Sequence, residues 1–325
     1  MSIYFIRPGL QTSIQDFGRP GLMHYGIPQG GAADILSMQL ANLLLGNCLN
    51  NPVLELTLTG PVIRFECDIS IAITGAQFNV LLNKITVENY KVIQVKRGDI
   101  IEFGQLLSGT RAYIGLSAKI STSQAFNSVS THLISHFGGN KGKAISYEER
   151  FHLKNIRIAK SAHIDRSLQP CYQSRPLLRV IYGPEKKRFT ELTLNNFFRK
   201  TFQVSVQSNR MGIRLSPSIM VDSKAITDSS DEMISSGLYP GSIQIPNNGE
   251  PIVSFIEGQT IGGYPRIAHI IRADLHRLGQ LKAQDKINFQ LVNQVQAREI
   301  LLKKMKYLEK LKNNLAPENN ESFIL

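Results

Sequence analysis

Between residues 53 and 116 the chain is a series of short apolar runs closed by turn residues, and this spacing limits the fold more than any other feature. The runs are 53–58, 62–65, 69–74, 78–82, 91–95, 99–103 and 110–116, punctuated by Thr59-Gly60-Pro61, Gly75-Ala76 and Lys96-Arg97-Gly98-Asp99. No helical pattern alternates with them, so the stretch predicts an all-β barrel or sandwich rather than βαβ units. Glu55 stands between Leu54 and Leu56, and strand alternation turns it to the face opposite both. It reads either as a solvated outward carboxylate or as one aimed into a cleft.

Upstream, residues 3–6 predict a short strand ending at Arg7-Pro8-Gly9, followed by a glycine- and proline-rich loop to Gly31. So long a connection with little regular pattern is more often functional than passive. Within it, Gln15-Asp16-Phe17-Gly18-Arg19-Pro20-Gly21 offers an amide, a carboxylate and a guanidinium. A helix follows, with Asp34 as its N-cap, Ile35, Leu36, Leu40, Leu43 and Leu44 as its apolar face and Gly46-Asn47 as its stop. Its free N–H groups and dipole face whatever the loop holds, favouring a carboxylate or phosphate.

The polar stretch 117–140 is turn-prone, periodicity fades between 152 and 176, and a new strand starts at Leu177-Leu178-Arg179-Val180-Ile181. Length supports two units, because 325 residues exceed the usual single domain. We expect a mainly β chain with a few helices, of α+β class, in two subdomains at 1–165 and 177–293. A Lys-rich helix and a frayed tail occupy 294–325, with Ile300, Leu301, Met305, Leu308 and Leu311 as a partial apolar stripe that docks on the body or on a partner.

A second binding cluster closes the folded region. The apolar run 251–256 reads as a strand that delivers Glu257-Gly258-Gln259-Thr260-Ile261-Gly262-Gly263-Tyr264-Pro265-Arg266. Paired glycines permit positive φ and close approach, Tyr264 offers an aromatic face, and Gln259, Thr260 and Arg266 offer directional polar groups. The alternative is a tight turn around a packed tyrosine. Arg210 and Arg214, four apart across Gly212, either converge on one anion or lie as surface arginines beside a strand.

Other chemistries are excluded. There is no P-loop, no G-x-G-x-x-G opening a helix, no H-E-x-x-H and no C-x-x-C; Cys48, Cys67 and Cys171 are too scattered for a disulfide framework, and no metal site is expected. The serines of 117–140 lack a His/Asp arrangement, so no serine nucleophile is assigned. The formal charge of +12 is spread along the chain rather than gathered into a patch, which argues against a specific nucleic-acid partner. Apolar runs such as Leu43-Leu44-Leu45 fall far short of the roughly 20 residues of a membrane helix. With no signal-peptide pattern at the start, the expected location is cytoplasmic.

The two clusters, together with Gly26-Ile27-Pro28, Gly31-Ala32-Ala33-Asp34, Leu54-Glu55-Leu56-Thr57, Thr74-Gly75-Ala76, Arg210-Met211-Gly212-Ile213-Arg214-Leu215, Gly241-Ser242-Ile243-Gln244-Ile245-Pro246 and Gln259-Thr260-Ile261-Gly262-Gly263-Tyr264-Pro265, resemble the biotin-dependent carboxyltransferase family. That family includes the C component of 5-oxoprolinase, long called the second component of allophanate hydrolase. The resemblance runs from about residue 3 to 292. It implies a cyclophilin-like C-terminal barrel, a partner like the B component of 5-oxoprolinase, and in the oxoprolinase system an A component as well. It also implies one of two chemistries on a small amide or lactam: ATP-dependent opening of 5-oxoproline to glutamate, with ATP in the assembled complex, or transfer of a carboxyl group to urea from carboxybiotin on a partner. A non-catalytic regulatory protein acting through the B component is a further alternative. The site residues carried over are Asp16, Arg19, Asp34, Glu55, Arg210 and Arg214 as catalytic charges, with Gln15, Gln244, Gln259, Thr260, Gly262, Gly263 and Tyr264 as substrate contacts. Departures from the family pattern fall at Gly30, where a serine is usual, at Asn209, and mostly within 118–150, including Asn127-Ser128-Val129-Ser130-Thr131. This implies that the region differs in function or specificity.

Overall fold

A computed structural model describes residues 1–219 and 233–315; the tail expected at 316–325 lies outside the described residues. The first half is one curled ten-stranded sheet. Its strands are β1 (Ser2–Arg7), β2 (Gln11–Gln15), β3 (Val53–Thr57), β4 (Val62–Phe65), β5 (Ile69–Leu82), β6 (Ile85–Val87), β7 (Val92–Val95), β8 (Ile100–Leu116), β9 (Lys119–Ile120) and β10 (Glu149–Lys154), with helix α1 (Ile35–Leu44) packed on it. The sheet runs β2-β3-β8-β4-β1-β10-β9, and β5 joins β8 on one side and β6 and β7 on the other. Ile3, Phe5, Leu54, Ile71, Ile114 and their neighbours fill its interior.

The expected breaks within 69–82 and 99–116 are not ends of strands. Both are continuous, and their pairing shifts register between Gly75 and Gln77 and again near Phe78. Gly75 has φ 89°, and a Cβ there would stand 2.5 Å from the carbonyl oxygen of Arg111. Its glycine therefore marks a bulge that lets the ladder bend and continue, rather than a turn. The first loop is likewise shorter than expected. Gln11–Gln15 forms β2 against β3, a strand with polar Thr12 and Ser13 buried where apolar side chains would have signalled it.

The second half contains β11 (Leu177–Tyr182), α2 (Glu191–Arg199), β12 (Phe202–Val204), β13 (Gly212–Ser216), β14 (Ser236–Gly237), β15 (Ser242–Gln244), β16 (Ile252–Ser254), β17 (Ile261–Gly262), β18 (Arg266–Ile270), the single-turn α3 (Leu275–Leu278) and β19 (Lys286–Leu291). Seven of these strands close a barrel in the order β11-β18-β15-β16-β13-β12-β19, sealed by a parallel β11–β19 pair. Phe197 from α2 stacks on Phe289 at 4.9 Å and meets Phe202 at 5.5 Å inside it. The mainly β architecture with few helices agrees with the sequence expectation. The final helix, α4 (Gln294–Leu315), packs Tyr307, Leu308, Leu311 and Leu315 against the cluster containing Leu36 and Leu40 of α1, whereas Met305 points outward and is 58% exposed. Among the described residues no helix is long and apolar enough to cross a membrane.

Gln280 fastens the two halves to each other. Its Oε1 accepts from the backbone N–H groups of Thr110 (2.9 Å) and Arg111 (3.1 Å), and its Nε2 donates to Asp34 and to the carbonyl of Arg111, both at 2.8 Å. Truncating this buried side chain strands several polar groups without water, each costing about 1–3 kcal/mol. Gln280→Ala is expected to lower unfolding free energy by on the order of 3 kcal/mol in a urea titration. A loss below about 0.5 kcal/mol would mean the contact is solvated instead.

Candidate functional site

Where the sheet meets the barrel, four charges from four separate segments converge. Arg210, on the turn before β13, places Nη1 2.5 Å from Glu55 of β3 and Nε 2.6 Å from Glu257, just beyond β16. Its Nη2 donates to the carbonyl of Gly31 at 2.7 Å. Arg111 of β8 stands 3.7 Å from Glu55 and donates Nη1 to the carbonyl of Gly279. The second oxygen of Glu55 accepts from the Tyr113 hydroxyl (2.9 Å) and from the Ala33 N–H (2.8 Å). Glu55 is 2% exposed, so the solvated outward reading is overturned: strand alternation turns it away from the core of the sheet, but the barrel covers that face.

Two arginines balance two glutamates, and the cations respond to their company. Burial alone pulls the Arg210 guanidinium down, yet Glu257 and Glu55 more than offset this and its pKa is raised. Arg111, with a more distant partner, stays lowered by burial. Burial, followed by the charge of Glu55, drives the Tyr113 hydroxyl well above its ordinary value, so it serves as a neutral donor.

The first glycine loop is braced in the same way. Asp16 accepts from the Gly18 N–H (2.8 Å), the Ser128 hydroxyl (2.6 Å) and the Val129 N–H (2.9 Å). Gln15 donates to Ser13 and to the Thr131 carbonyl and accepts from Ser130. Arg19, 1% exposed, donates Nε to Ala125 and Nη2 to the Ser130 carbonyl and lies 4.6 Å over the Phe137 ring. Its Nη1 has no partner among the described residues, and burial lowers its pKa. A Cβ at Gly30 would stand 3.3 Å from that Nη1, so a serine at that position would bring a hydroxyl beside it. His132 is a second buried group of this kind: its Nδ1 accepts from the Ser135 N–H, its Nε2 is unpaired among the described residues, and burial lowers its pKa.

The structure thus separates the residues singled out by sequence into two sets and leaves Arg214 outside both. Gln15, Asp16, Arg19, Glu55 and Arg210 form a buried floor, and Asp34 caps α1 by accepting from the Ser37 N–H at 3.0 Å. Gln244, Gln259, Gly262 and Tyr264 form a rim: a Cβ at Gly262 would meet the amide nitrogens of Gln244 and Gln259 at 2.6 and 3.3 Å, and Gln244 Nε2 lies 3.3 Å from the Tyr264 carbonyl. Gln259 and Gly263 are exposed, Tyr264 is 44% exposed, and Thr260 is nearly buried. Arg214 belongs to neither set. It lies on β13 opposite Ile252, exposed, because strand geometry rather than a turn follows Gly212. Arg266 is also withdrawn, closed in a bidentate pair on Glu185.

Sequence reading gave no role to Arg111, Tyr113 or His132, nor to Ser128 and Ser130 as braces. For Arg111 a signal existed, since a charge opening the apolar run 111–116 beside a buried-strand pattern demands a partner. Arg210→Met leaves two buried glutamates facing each other and is expected to cost about 3–5 kcal/mol in chemical unfolding. Arg214→Met should stay within about 0.5 kcal/mol of the parent. Equal effects would contradict the separation described.

The family model for the carboxyltransferase domain, subdomain A and B, matches residues 25–291. The C component of 5-oxoprolinase from Escherichia coli is 36% identical across 97% of this chain and 99% of its own length. That of Haemophilus influenzae is 30% identical across 95% and 97%. Among solved structures, the urea amidolyase of K. lactis superposes with a TM-score of 0.89 at 27% identity, covering 98% of this chain and 20% of that much longer one.

Proposed function

Because the chain belongs to the carboxyltransferase family built of subdomains A and B, we propose that it is the C component of an ATP-dependent 5-oxoprolinase complex that opens 5-oxoproline to glutamate. The observation that carries this reading is the end-to-end match to the E. coli protein, which leaves almost no part of either chain unaligned. Partners of the A and B kinds complete the enzyme.

The rim supplies contacts suited to a lactam. Gln259, exposed and with no side-chain hydrogen bond among the described residues, presents its amide to the substrate's own amide, Gln244, buried and bonded to the Tyr264 carbonyl, holds the loop beneath it, the Gly262-Gly263 backbone permits close approach, and Tyr264 offers a ring face. Ring opening passes through an anionic tetrahedral state, so donors held in place before the reaction are worth more than mobile ones. The floor serves this end by fixing the rim: the Glu257 N–H is bonded to the Arg210 carbonyl, one residue before the loop of Gln259 begins. Arg210, Glu55, Asp16 and Arg19 are therefore assigned as positioning residues rather than as groups that touch substrate.

In the assembled complex ATP would supply the activation of the lactam oxygen. The described residues of this site are poorly suited to a triphosphate, because Arg111, Arg210 and Arg266 commit their guanidinium groups to carboxylates or backbone carbonyls and Arg19, with only Nη1 unpaired, is 1% exposed. The nucleotide is accordingly assigned to a partner protein. Carboxyl transfer to urea is a second reading, favoured by the superposition on urea amidolyase over 98% of this chain. Carboxybiotin carried by a partner would then supply the carboxyl group, and its uncharged ureido ring suits the same glutamine amide.

The deciding assay follows glutamate formation and ATP hydrolysis with 5-oxoproline, using this chain with its cognate A and B components and omitting each in turn. Glutamate that appears only with all three is the expected result; an assembled complex that is silent on 5-oxoproline but carboxylates urea selects the second reading. In the active complex, Gln259→Ala is expected to lower kcat at least about tenfold with an unchanged melting temperature, the size of one lost transition-state hydrogen bond. Unaltered turnover would remove Gln259 from the site.

A further inference from the structure

Residues of α1, α3, α4 and the connection between the two halves line an open cavity of about 390 Å3, within the range of small-molecule pockets. We propose that this cavity binds a small organic anion, its carboxylate or phosphate head held by Lys304 and Arg277 and its apolar body resting on Leu36, Leu168, Pro170 and Ile300.

The charge inventory explains why. Lys304 reaches in from α4 and spends two of its three donors, on the Ala273 carbonyl at 3.1 Å and on His276 Nδ1 at 2.9 Å. The third remains for a ligand. Arg277 stands 3.7 Å from Asp274, beyond hydrogen-bond reach, and its guanidinium makes no hydrogen bond among the described residues. The nearby carboxylates are already engaged. Asp274 is gripped by Arg179, whose Nε lies at 2.8 Å and Nη2 at 2.5 Å. Asp34 accepts from Ser37, Gln280 and the Tyr172 hydroxyl. Two cations with free donors therefore border a space large enough for a ligand, and the one carboxylate on its wall among the described residues, Asp274, is held by Arg179, which lines the same space.

The titration of Lys304 agrees with an unmet positive site. Burial lowers its pKa to about 8; Asp34 and Asp274 pull it up, and Arg277 and Arg272 push it down. His276 is lowered to about 4 by burial and by Lys304 itself, so it faces the amine as a neutral acceptor. Of the other titratable groups on the wall, Tyr172 and Tyr307 are both raised, chiefly by burial, and stay neutral, Asp274 and Arg179 are paired with each other, and Cys171 is exposed. An anion beside Lys304 favours its protonated form, so binding draws on that form and weakens as pH rises through 8.

Titration calorimetry on the full chain tests this with four probes: benzoate and phenyl phosphate as organic anions, inorganic phosphate as a head without a body, and benzamide as a body without a charge. Benzoate or phenyl phosphate is expected to bind at one site per chain, whichever is tighter identifying the head group, with inorganic phosphate and benzamide at least tenfold weaker. For benzoate, which is fully ionised above about pH 6, affinity should hold steady up to pH 8 and fall by up to about tenfold per unit above it. Lys304→Met should weaken binding at least tenfold, and Arg277→Gln, at a half-exposed position, should do so several-fold. Absence of saturable binding by either organic anion, benzamide binding as tightly as benzoate, or parental affinity in both variants would overturn the proposal. Because no partner protein or turnover enters these measurements, their failure is distinct from failure of the oxoprolinase assay.

Discussion

Arg210 is the contact on which the junction of the two halves depends. Apolar faces can slide by a residue and still bury similar area, but a guanidinium that must meet two carboxylates and a carbonyl within 2.5–2.7 Å has one position. A buried ion pair returns little net stability over a well-packed apolar substitute, because desolvation consumes most of the Coulombic gain. Its value here is positional. Glu55 comes from the sheet, Glu257 from the barrel and Gly31 from the long loop, so one side chain sets the relative placement of all three.

The glycines follow from that placement. Gly31, with φ 88°, would carry a Cβ 2.8 Å from the Gly18 nitrogen, and a Cβ at Gly138 would stand 2.2 Å from the Ser130 carbonyl oxygen. These residues allow two loops to press against each other, with Asp16, Gln15 and Arg19 stitched to Ser128, Ser130 and Ala125 across the contact. Glycine-rich sequence is commonly read as room for a ligand. In this part of the molecule the room is taken by backbone. The segment 118–150 supplies half of that brace, so substitutions there would act on how the loop is held.

What could be read from the sequence depended on the range of the interactions involved. The Asp34 cap was legible because its partner, Ser37, lies three residues away. The strand-rich character of 53–116 was legible because alternation is local. The direction of Glu55 was not, since alternation gives a face but not what covers it, and the covering barrel begins more than 100 residues later. Arg210 and Arg214 looked equivalent at a spacing of four; the first precedes β13 and turns inward to carboxylates remote in sequence, the second lies within it and faces solvent. Gly75 read as a break because a bulge and a turn use the same residue, and only the partner strand distinguishes them.

A satisfied floor beneath an open rim has a consequence for chemistry. Hydrogen-bond donors stabilise a developing oxyanion strongly only where water is excluded and the local dielectric is low. The floor meets that condition but has few donors left to give, while Gln259, Gly263 and Tyr264 have donors and contact surface but face solvent. Apolar side chains accompany them: Ile261 is 60% exposed and Met211 40%. Under the proposed role within a complex, the surface that covers these residues is what converts the rim into a dry site, and it brings the nucleotide that the paired arginines Arg111, Arg210 and Arg266 do not accept. Activity confined to the assembled complex is then a property of burial. The chain supplies positioned amides, and the partner supplies the absence of water.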